Sequence, residues 1–486
     1  MQIIKMQDCR KCDKILIMFK IRNLYLAAIA LALLFILTRF YKIDSSLLFF
    51  NDIGRDFLAL WQWQQTGKPP LLGPQTSALP FNQSAIYFYL LYPFYLLTGH
   101  SPYASLIAYS AFYLTGLAIG LYFLRQYPRL EKSLLLVFLL IIVHPEYIKQ
   151  GRFIWNPSFV TPCILAAFYS LVVYFETKKP SRYLLPFSAF ALALATAFSY
   201  SAAPALIAFL IYIFYRQRKD TLRYLLYSVI SLFLVNLPTF VFELRHGFLL
   251  SKMMLFGDKL DQGRNFLNAR LLNLSEFSLV GSHWLWALAC LLFLALAYYL
   301  SNKNEKNRFL NASFFLFFTT LVITILAPVS IHSHYIFGIL PLLFLTISFL
   351  EARYIYLIGI FFYIIFMKAS LQANYFAPAR HSVAELQSCV RDFCASQKEP
   401  IFISNQSSHH PYHNAMEFQY FMSEAGCQVK DINTQNGEAS TMAVVLDDDV
   451  YEHGKTSYNE LTLFGQSKEI ERFICQEKLE IVILSL

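Results

Sequence analysis

The feature that most constrains this chain is a succession of apolar runs between Leu24 and Ser370, each bounded by charged or turn residues. Hydrophobic residues are 57% of the 486 and charged residues 15%, too little charge to solvate a soluble protein of this length. Backbone amides that enter hydrocarbon must find partners within their own segment, so such runs fold as helices. The fold class read from the sequence is an α-helical polytopic membrane protein over residues 1–370. From 371 to 486 the composition changes to that of a small soluble α/β domain. The net charge of +9 gives no reason to invoke nucleic acid, because most of the excess lies in short loops beside spans, where it sets orientation.

A first span is expected at about Leu24–Phe40, uncleaved, since no small-residue cleavage site follows it. Cys9 and Cys12 have zinc-like spacing without a second pair, so they read as ordinary thiols, and a start at Met18 would remove them. Residues 85–98 are too short for the roughly 20 residues a crossing helix needs. If they lie along the membrane, later spans fall near 103–124, 133–147, 157–175, 183–198, 203–215, 222–242, 282–300, 309–329, 334–350 and 354–370. Every basic connection then shares the side of the N-terminus, from Arg125/Arg129/Lys132 through Arg216/Arg218/Lys219 to Arg353. That parity predicts about eleven spans, an inside N-terminus and an outside tail, as the positive-inside rule requires. The outer segments are 41–102, 146–156, 199–202, 244–281 and 330–333. Arg, His, Asn and Glu gather at these ends, where such residues are costly and mark sites or pair with one another.

In the tail, 401–404, 443–446 and 481–484 read as strands, and 381–396, 413–425 and 466–478 as amphipathic helices. Cys389, Cys394, Cys427 and Cys475 allow three pairings, among which the sequence does not choose. His409, His410 and His413 read as a solvated loop before a helix in preference to a metal site, and Asp447–Asp449 as a polar turn in preference to a cation site.

The segment from Phe49 to Gly99 is too polar to span and too aromatic for a solvated loop. Residues 53–66 fit an amphipathic helix lying on the membrane, ended by Gly67 and the two following prolines, with Asp52 at the N-cap and Trp61 and Trp63 suited to the lipid–water interface. Arg55 and Asp56 read equally as a first-turn ion pair or as part of a site.

Several motifs recur in order on this one side: Asn51-Asp52-x-Gly54-Arg55-Asp56; Gly67-Lys68-x-Pro70-Leu71-Leu72-Gly73-Pro74; Arg152-Phe153-x-Trp155-Asn156-Pro157; Phe242-Glu243-x-Arg245-His246-Gly247; and His334-Tyr335 before Leu340-Pro341. Over roughly residues 20–370 this layout resembles the GT-C superfamily of integral membrane glycosyltransferases. It is most similar to the polyprenyl-phosphate-sugar-dependent branch of lipid A aminoarabinose transferases and relatives of protein O-mannosyltransferases.

The resemblance implies a lipid-linked sugar donor and an acceptor hydroxyl on a cell-envelope glycolipid, polysaccharide or protein, at the outer face of an inner (plasma) membrane. It puts catalysis at Asp52, with Asp56 as second candidate. Arg55, Arg152, Asn156, Glu243, Arg245, His246, His334 and Tyr335 become the substrate-binding candidates, Arg245 and His246 first for the leaving phosphate. Some relatives carry a second acid where this chain has Asn156, so the pattern for a tightly held divalent cation is incomplete and a cation stays open. A ligase or polymerase moving whole oligosaccharides shares this topology. A transporter or flippase would instead place polar groups at mid-membrane.

Overall fold

The computed structural model describes residues 10–76, 82–256, 284–304, 307–327, 333–355, 376–407, 414–435, 437–451, 460–476 and 479–486. Cys9, the cluster His409/His410/His413 and most of the span expected at 354–370 lie outside them.

Four described helices are long and apolar enough to cross a membrane: Asn23–Phe40 within the longer Arg10–Phe40 helix, Ala104–Leu124, Asn156–Glu176 and Arg308–Leu326. A fifth span is formed if Arg218–Val235 and Leu237–Arg245 act as one element bent by 65°. Among the described residues these meet the combined length and apolarity requirement; Trp284–Asn304, at the expected 282–300 span, is also 21 residues long. Others are present but short. Pro128–Val143, Leu184–Phe198 and Ala203–Arg216 have 16, 15 and 14 residues, which at about 1.5 Å per residue stay below the roughly 30 Å of a hydrocarbon core. The reason is local: polar and proline residues bound them, His144-Pro145 after the first, Arg182 and Ser199 around the second, and Ser201 and Arg216-Gln217 around the third. Asn156–Glu176 is the most enclosed span, with 78% of its window buried, and Leu184–Phe198 packs along it.

The first loop forms two helices, Asp52–Thr66 and Ile86–Leu97. Gly67 ends the first in the left-handed region, at φ 65°, its N–H bonded to the Trp63 carbonyl at 2.8 Å. Trp63 stacks on Tyr92 with centroids 3.8 Å apart and meets Tyr89 edge-on, so the expected interfacial tryptophan also staples the two helices together. Twelve residues make the second helix too short to cross.

The tail is a five-stranded sheet ordered β2-β1-β3-β5-β4, from β1 (Ile401–Ser407), β2 (Val429–Lys430), β3 (Thr441–Asp447), β4 (Lys468–Gln476) and β5 (Leu479–Ser485). β1 pairs in parallel with β2 and β3, while β5 is antiparallel to β3 and β4. Helices Val383–Ser396 and Met416–Glu424 fall where expected. The third expected helix does not form: 468–476 is the edge strand β4. Its sequence permits either period, and the hairpin to β5 decides, with Gln476 opposite Leu479, Arg472 bonded across to Glu480 at 2.8 Å, and Cys475 joined to Cys389. The second disulfide is Cys394–Cys427.

The sheet domain sits on the first loop. Phe49 and Phe57 pack with Tyr420 and Phe421 at centroid distances of 4.9–5.6 Å. Tyr420 donates to the His100 carbonyl at 2.5 Å, and the Ala379 N–H donates to the Ser45 carbonyl at 2.6 Å. Gly54 makes this seat: a Cβ there would lie 2.3 Å from the Glu417 nitrogen.

Candidate active site

Asp52 opens the first-loop helix at N1, one position later than the cap expected for it. The N-cap is Asn51, whose φ of 31° is strained for a residue with a side chain and whose side chain makes no cap. Its backbone N–H is held by the Glu417 carboxylate of the sheet domain at 3.0 Å. The conformation that presents Asp52 is therefore fixed partly from outside its own segment.

Arg55 lies between the two acids. Its Nη1 donates to Asp52 at 2.7 Å; its Nε and Nη2 both donate to Asp56 Oδ1, at 3.0 and 2.8 Å. The acids differ in access. Asp52's side chain is 37% exposed, whereas Asp56 is fully buried. Burial pushes the Asp56 carboxyl up to about 6, against the opposing pull of Arg55. The buried Tyr87 hydroxyl lies beside the Asp56 carboxylate and interacts with it. Tyr87 is near enough to feel the carboxylate, and burial first, then that charge, drive its hydroxyl well above the usual range. The two carboxylates hold Arg55 in the charged form despite its burial.

The other candidates divide by what they touch. Arg152 is buried, donating from Nη1 and Nη2 to the carbonyls of Thr38 and Tyr41 at 2.8 and 2.9 Å, with Phe376 against its guanidinium. It closes the C-terminal end of the first span. Arg39 answers it, donating to the carbonyls of Ile141 and Ile142 at the end of Pro128–Val143. Burial, and then the nearby Arg39 charge, lower the Arg152 pKa to about 10. Asn156 donates its amide to the Phe198 carbonyl at 2.6 Å. Glu243 accepts from the N–H groups of Leu250 and Ser251 at 2.8 and 2.9 Å, and from the Ser251 hydroxyl, and so caps Leu249–Phe256.

Arg245 and His246 are exposed. The His246 ring stacks on Phe242 and its Nδ1 points to that residue's carbonyl at 2.9 Å, which leaves Nε2 outward. Arg245 makes no ion pair among the described residues. His334 and Tyr335 lie in the 3-10 turn Ser333–Gly338. Gly338 seats that turn against Ser201, whose carbonyl would be 2.7 Å from an added Cβ.

Hydrogen bonds gather these segments around the first loop: Tyr200 to the Asn82 carbonyl at 2.9 Å, Ser84 to the Val235 carbonyl at 2.6 Å, and Leu48 N–H to the Arg152 carbonyl at 2.8 Å. These bonds bring residues 48, 82, 84, 152, 200 and 235 together. Tyr87, Glu417 and Arg39 escaped sequence reading. Tyr87 sits among aromatics, Arg39 looks like a snorkelling terminus, and Glu417 lies 366 positions from Asn51. Among the described residues no group of three or more His, Cys, Asp or Glu is placed to hold a metal ion.

The architecture can now be placed among known folds. The chain is similar to ArnT from Cupriavidus metallidurans bound to undecaprenyl phosphate, with TM-score 0.59 and 12% identity over 94% of this chain and 97% of that one. It is similar to the apo state of the same protein at TM-score 0.60 and 11% identity, over 96% and 98%. ArnT is the lipid A aminoarabinose transferase, a GT-C glycosyltransferase. The GT-C resemblance read from the outer motifs thus holds at the level of the fold, tail included. No family model matches the sequence, and no curated protein matches it.

Proposed function

We propose that this protein is a membrane glycosyltransferase that moves a sugar from a polyprenyl-phosphate donor to an acceptor hydroxyl. The observation that carries the reading is the partly exposed Asp52, anchored by Arg55 at the start of a surface helix, within a fold shared with a protein solved with undecaprenyl phosphate bound. The acceptor oxygen attacks the anomeric carbon as the bond from that carbon to the lipid phosphate breaks. Asp52 takes the acceptor's proton, and the phosphate departs with the electron pair. Arg245 and His246 are the exposed cations available to stabilise that leaving charge. Asp56 is buried, and its role is to hold Arg55 and so orient Asp52. Arg152, Asn156 and Glu243 act as scaffold, since backbone groups already use Arg152 Nη1 and Nη2, the Asn156 amide nitrogen and the Glu243 carboxylate. The reaction faces the side opposite the N-terminus in the plasma membrane, and 371–486 forms an extracytoplasmic domain over it. Two disulfides in the tail fit an oxidising compartment.

The test is Asp52→Asn against Asp52→Ala, with transfer assayed from a polyprenyl-phosphate sugar pool and the membrane level and melting temperature followed alongside. The Asn variant is expected to be as stable as wild type and about 10²–10⁴-fold slower, the usual contribution of a positioned base. An active Asn variant would remove Asp52 from the chemistry.

A further inference from the structure

The sheet domain contains a second candidate site. β1 is the point where the parallel part of the sheet changes direction: β2 adds on one side of it and β3 on the other. In open α/β sheets the crevice at the carboxyl ends of strands around such a switch is where ligands bind. Here those ends are Ser407 and Asp447, paired across β1 and β3, and a cavity of about 320 Å³ opens beside them. Its volume falls at the lower end of the roughly 300–1,000 Å³ of small-molecule pockets.

The lining has two characters. Phe49 and Phe153 from the membrane domain and Phe418 from the sheet domain supply aromatic walls; Asn405, Glu417 and Asp447 supply oxygen acceptors. Arg380 also faces the cavity, but Asp447 and Asp448 occupy it at 2.9 and 3.1 Å. His381 and Ser407 likewise bond to Asp447, at 2.9 and 3.0 Å. Asn405 differs: it is 3% exposed, lines the cavity, and its Oδ1 has no hydrogen-bond partner among the described residues. A buried acceptor left unpaired costs about 1–3 kcal/mol, and a donor from a ligand would satisfy it.

We infer that this cavity binds a pyranose residue of the acceptor. A pyranose offers a hydroxyl donor for Asn405 Oδ1 and apolar C–H faces that match the phenylalanines; Glu417 and Asp447 already accept from protein donors. The location links binding to chemistry, because Phe49 lies three residues before Asp52 and Glu417 holds Asn51. The acceptor role rests on the transferase reading; sugar binding by the cavity does not.

The experiment uses the full chain in lipid nanodiscs free of glycosidic detergent, and a panel of methyl hexosides and methyl N-acetylhexosaminides followed by saturation-transfer NMR. At least one glycoside is expected to give ring-proton signals, reduced tenfold or more in Asn405→Leu. Phe153→Ala, outside the sheet, provides a second variant should Asn405→Leu fail to fold, and is expected to lose the same signals. Saturation confined to an alkyl glycoside's chain would identify an acyl pocket and overturn the proposal, as would signals unchanged in the folded variants or no signal from any glycoside. Binding that persists in a chain without transferase activity would keep the cavity and remove the transferase reading. Transfer by a chain that binds none of the glycosides would do the reverse.

Discussion

Two regions near helix ends carry arginine, and they use it in opposite ways. Around Arg39 and Arg152 the guanidinium groups are buried and spend their Nη donors on the carbonyls that end the Pro128–Val143 and Arg10–Phe40 helices. Around Glu243–His246 the only buried group is the acid, which caps the next helix, while Arg245 and His246 stay exposed. Polar residues at membrane depth invite a functional reading. The contrast shows that helix ends inside a bundle need the same residue types. What separates structure from site is whether the backbone has already satisfied the side chain.

The sharpest break between the two regions is expected in activity. Arg245→Ala should leave melting unchanged and reduce transfer by about 10²-fold, the loss typical when one preorganised donor to a developing oxyanion is removed. Measured with a polyprenyl-phosphate sugar, an activity within twofold of wild type would return Arg245 to the surface and make His334 the next candidate. Arg152→Gln should do the opposite. It strips donors from two buried carbonyls, at about 1–3 kcal/mol each, and should appear as a lower melting temperature and membrane level. Catalytic constants of the surviving folded fraction should be unchanged; a selective loss of donor affinity would make Arg152 a phosphate ligand after all.

The contact between the tail and the first loop offers a smaller effect. Gly54→Ala forces a methyl group against the Glu417 backbone, which cannot yield as a flexible side chain would. Overpacking of this kind costs about 1–3 kcal/mol. The sheet domain should loosen from the loop, read as faster proteolysis between 370 and 382 with the helical bundle intact. Unchanged cleavage would mean that the aromatic contacts of Phe49 and Phe57 with Tyr420 dominate the seat.

Much of this arrangement was legible in the sequence, for identifiable reasons. Period and length pointed to the first-loop helices, and Gly67 to the end of the first. Asp52, Arg55 and Asp56 were visible as a charged group opening an expected helix, but by themselves they read equally as a cap and an ion pair, and only the resemblance singled out Asp52. The lost information was of two kinds. The β4 segment satisfies both helical and strand spacing, and only its hairpin with β5 and the Cys389–Cys475 bond select the strand. The carbonyl partners of Arg152 and Asn156, and the reach of Glu417 to Asn51, depend on approach between distant segments. No local pattern encodes them.

The smallest effect tests the inner half of the Asp52–Arg55–Asp56 cluster. Burial raises the Asp56 carboxyl from its ordinary 3.8 to about 6 in the folded protein. Between those values the folded chain holds a proton that the unfolded chain has released, so Asp56's contribution to stability falls as pH rises from about 4 through about 6 and is flat above. Asp56→Asn removes that titration. Melting temperatures of wild type and variant measured from pH 4 to 8 should therefore shift in the variant's favour across this window, whatever their offset. The shift cancels contributions from acids common to both chains. If wild type instead gains on the variant as pH rises, attraction to Arg55 outweighs burial and the folded carboxyl titrates below 3.8. Asp56 would then be a strong ion-pair partner, and its burial would stabilise the charged cluster that presents Asp52 instead of straining it.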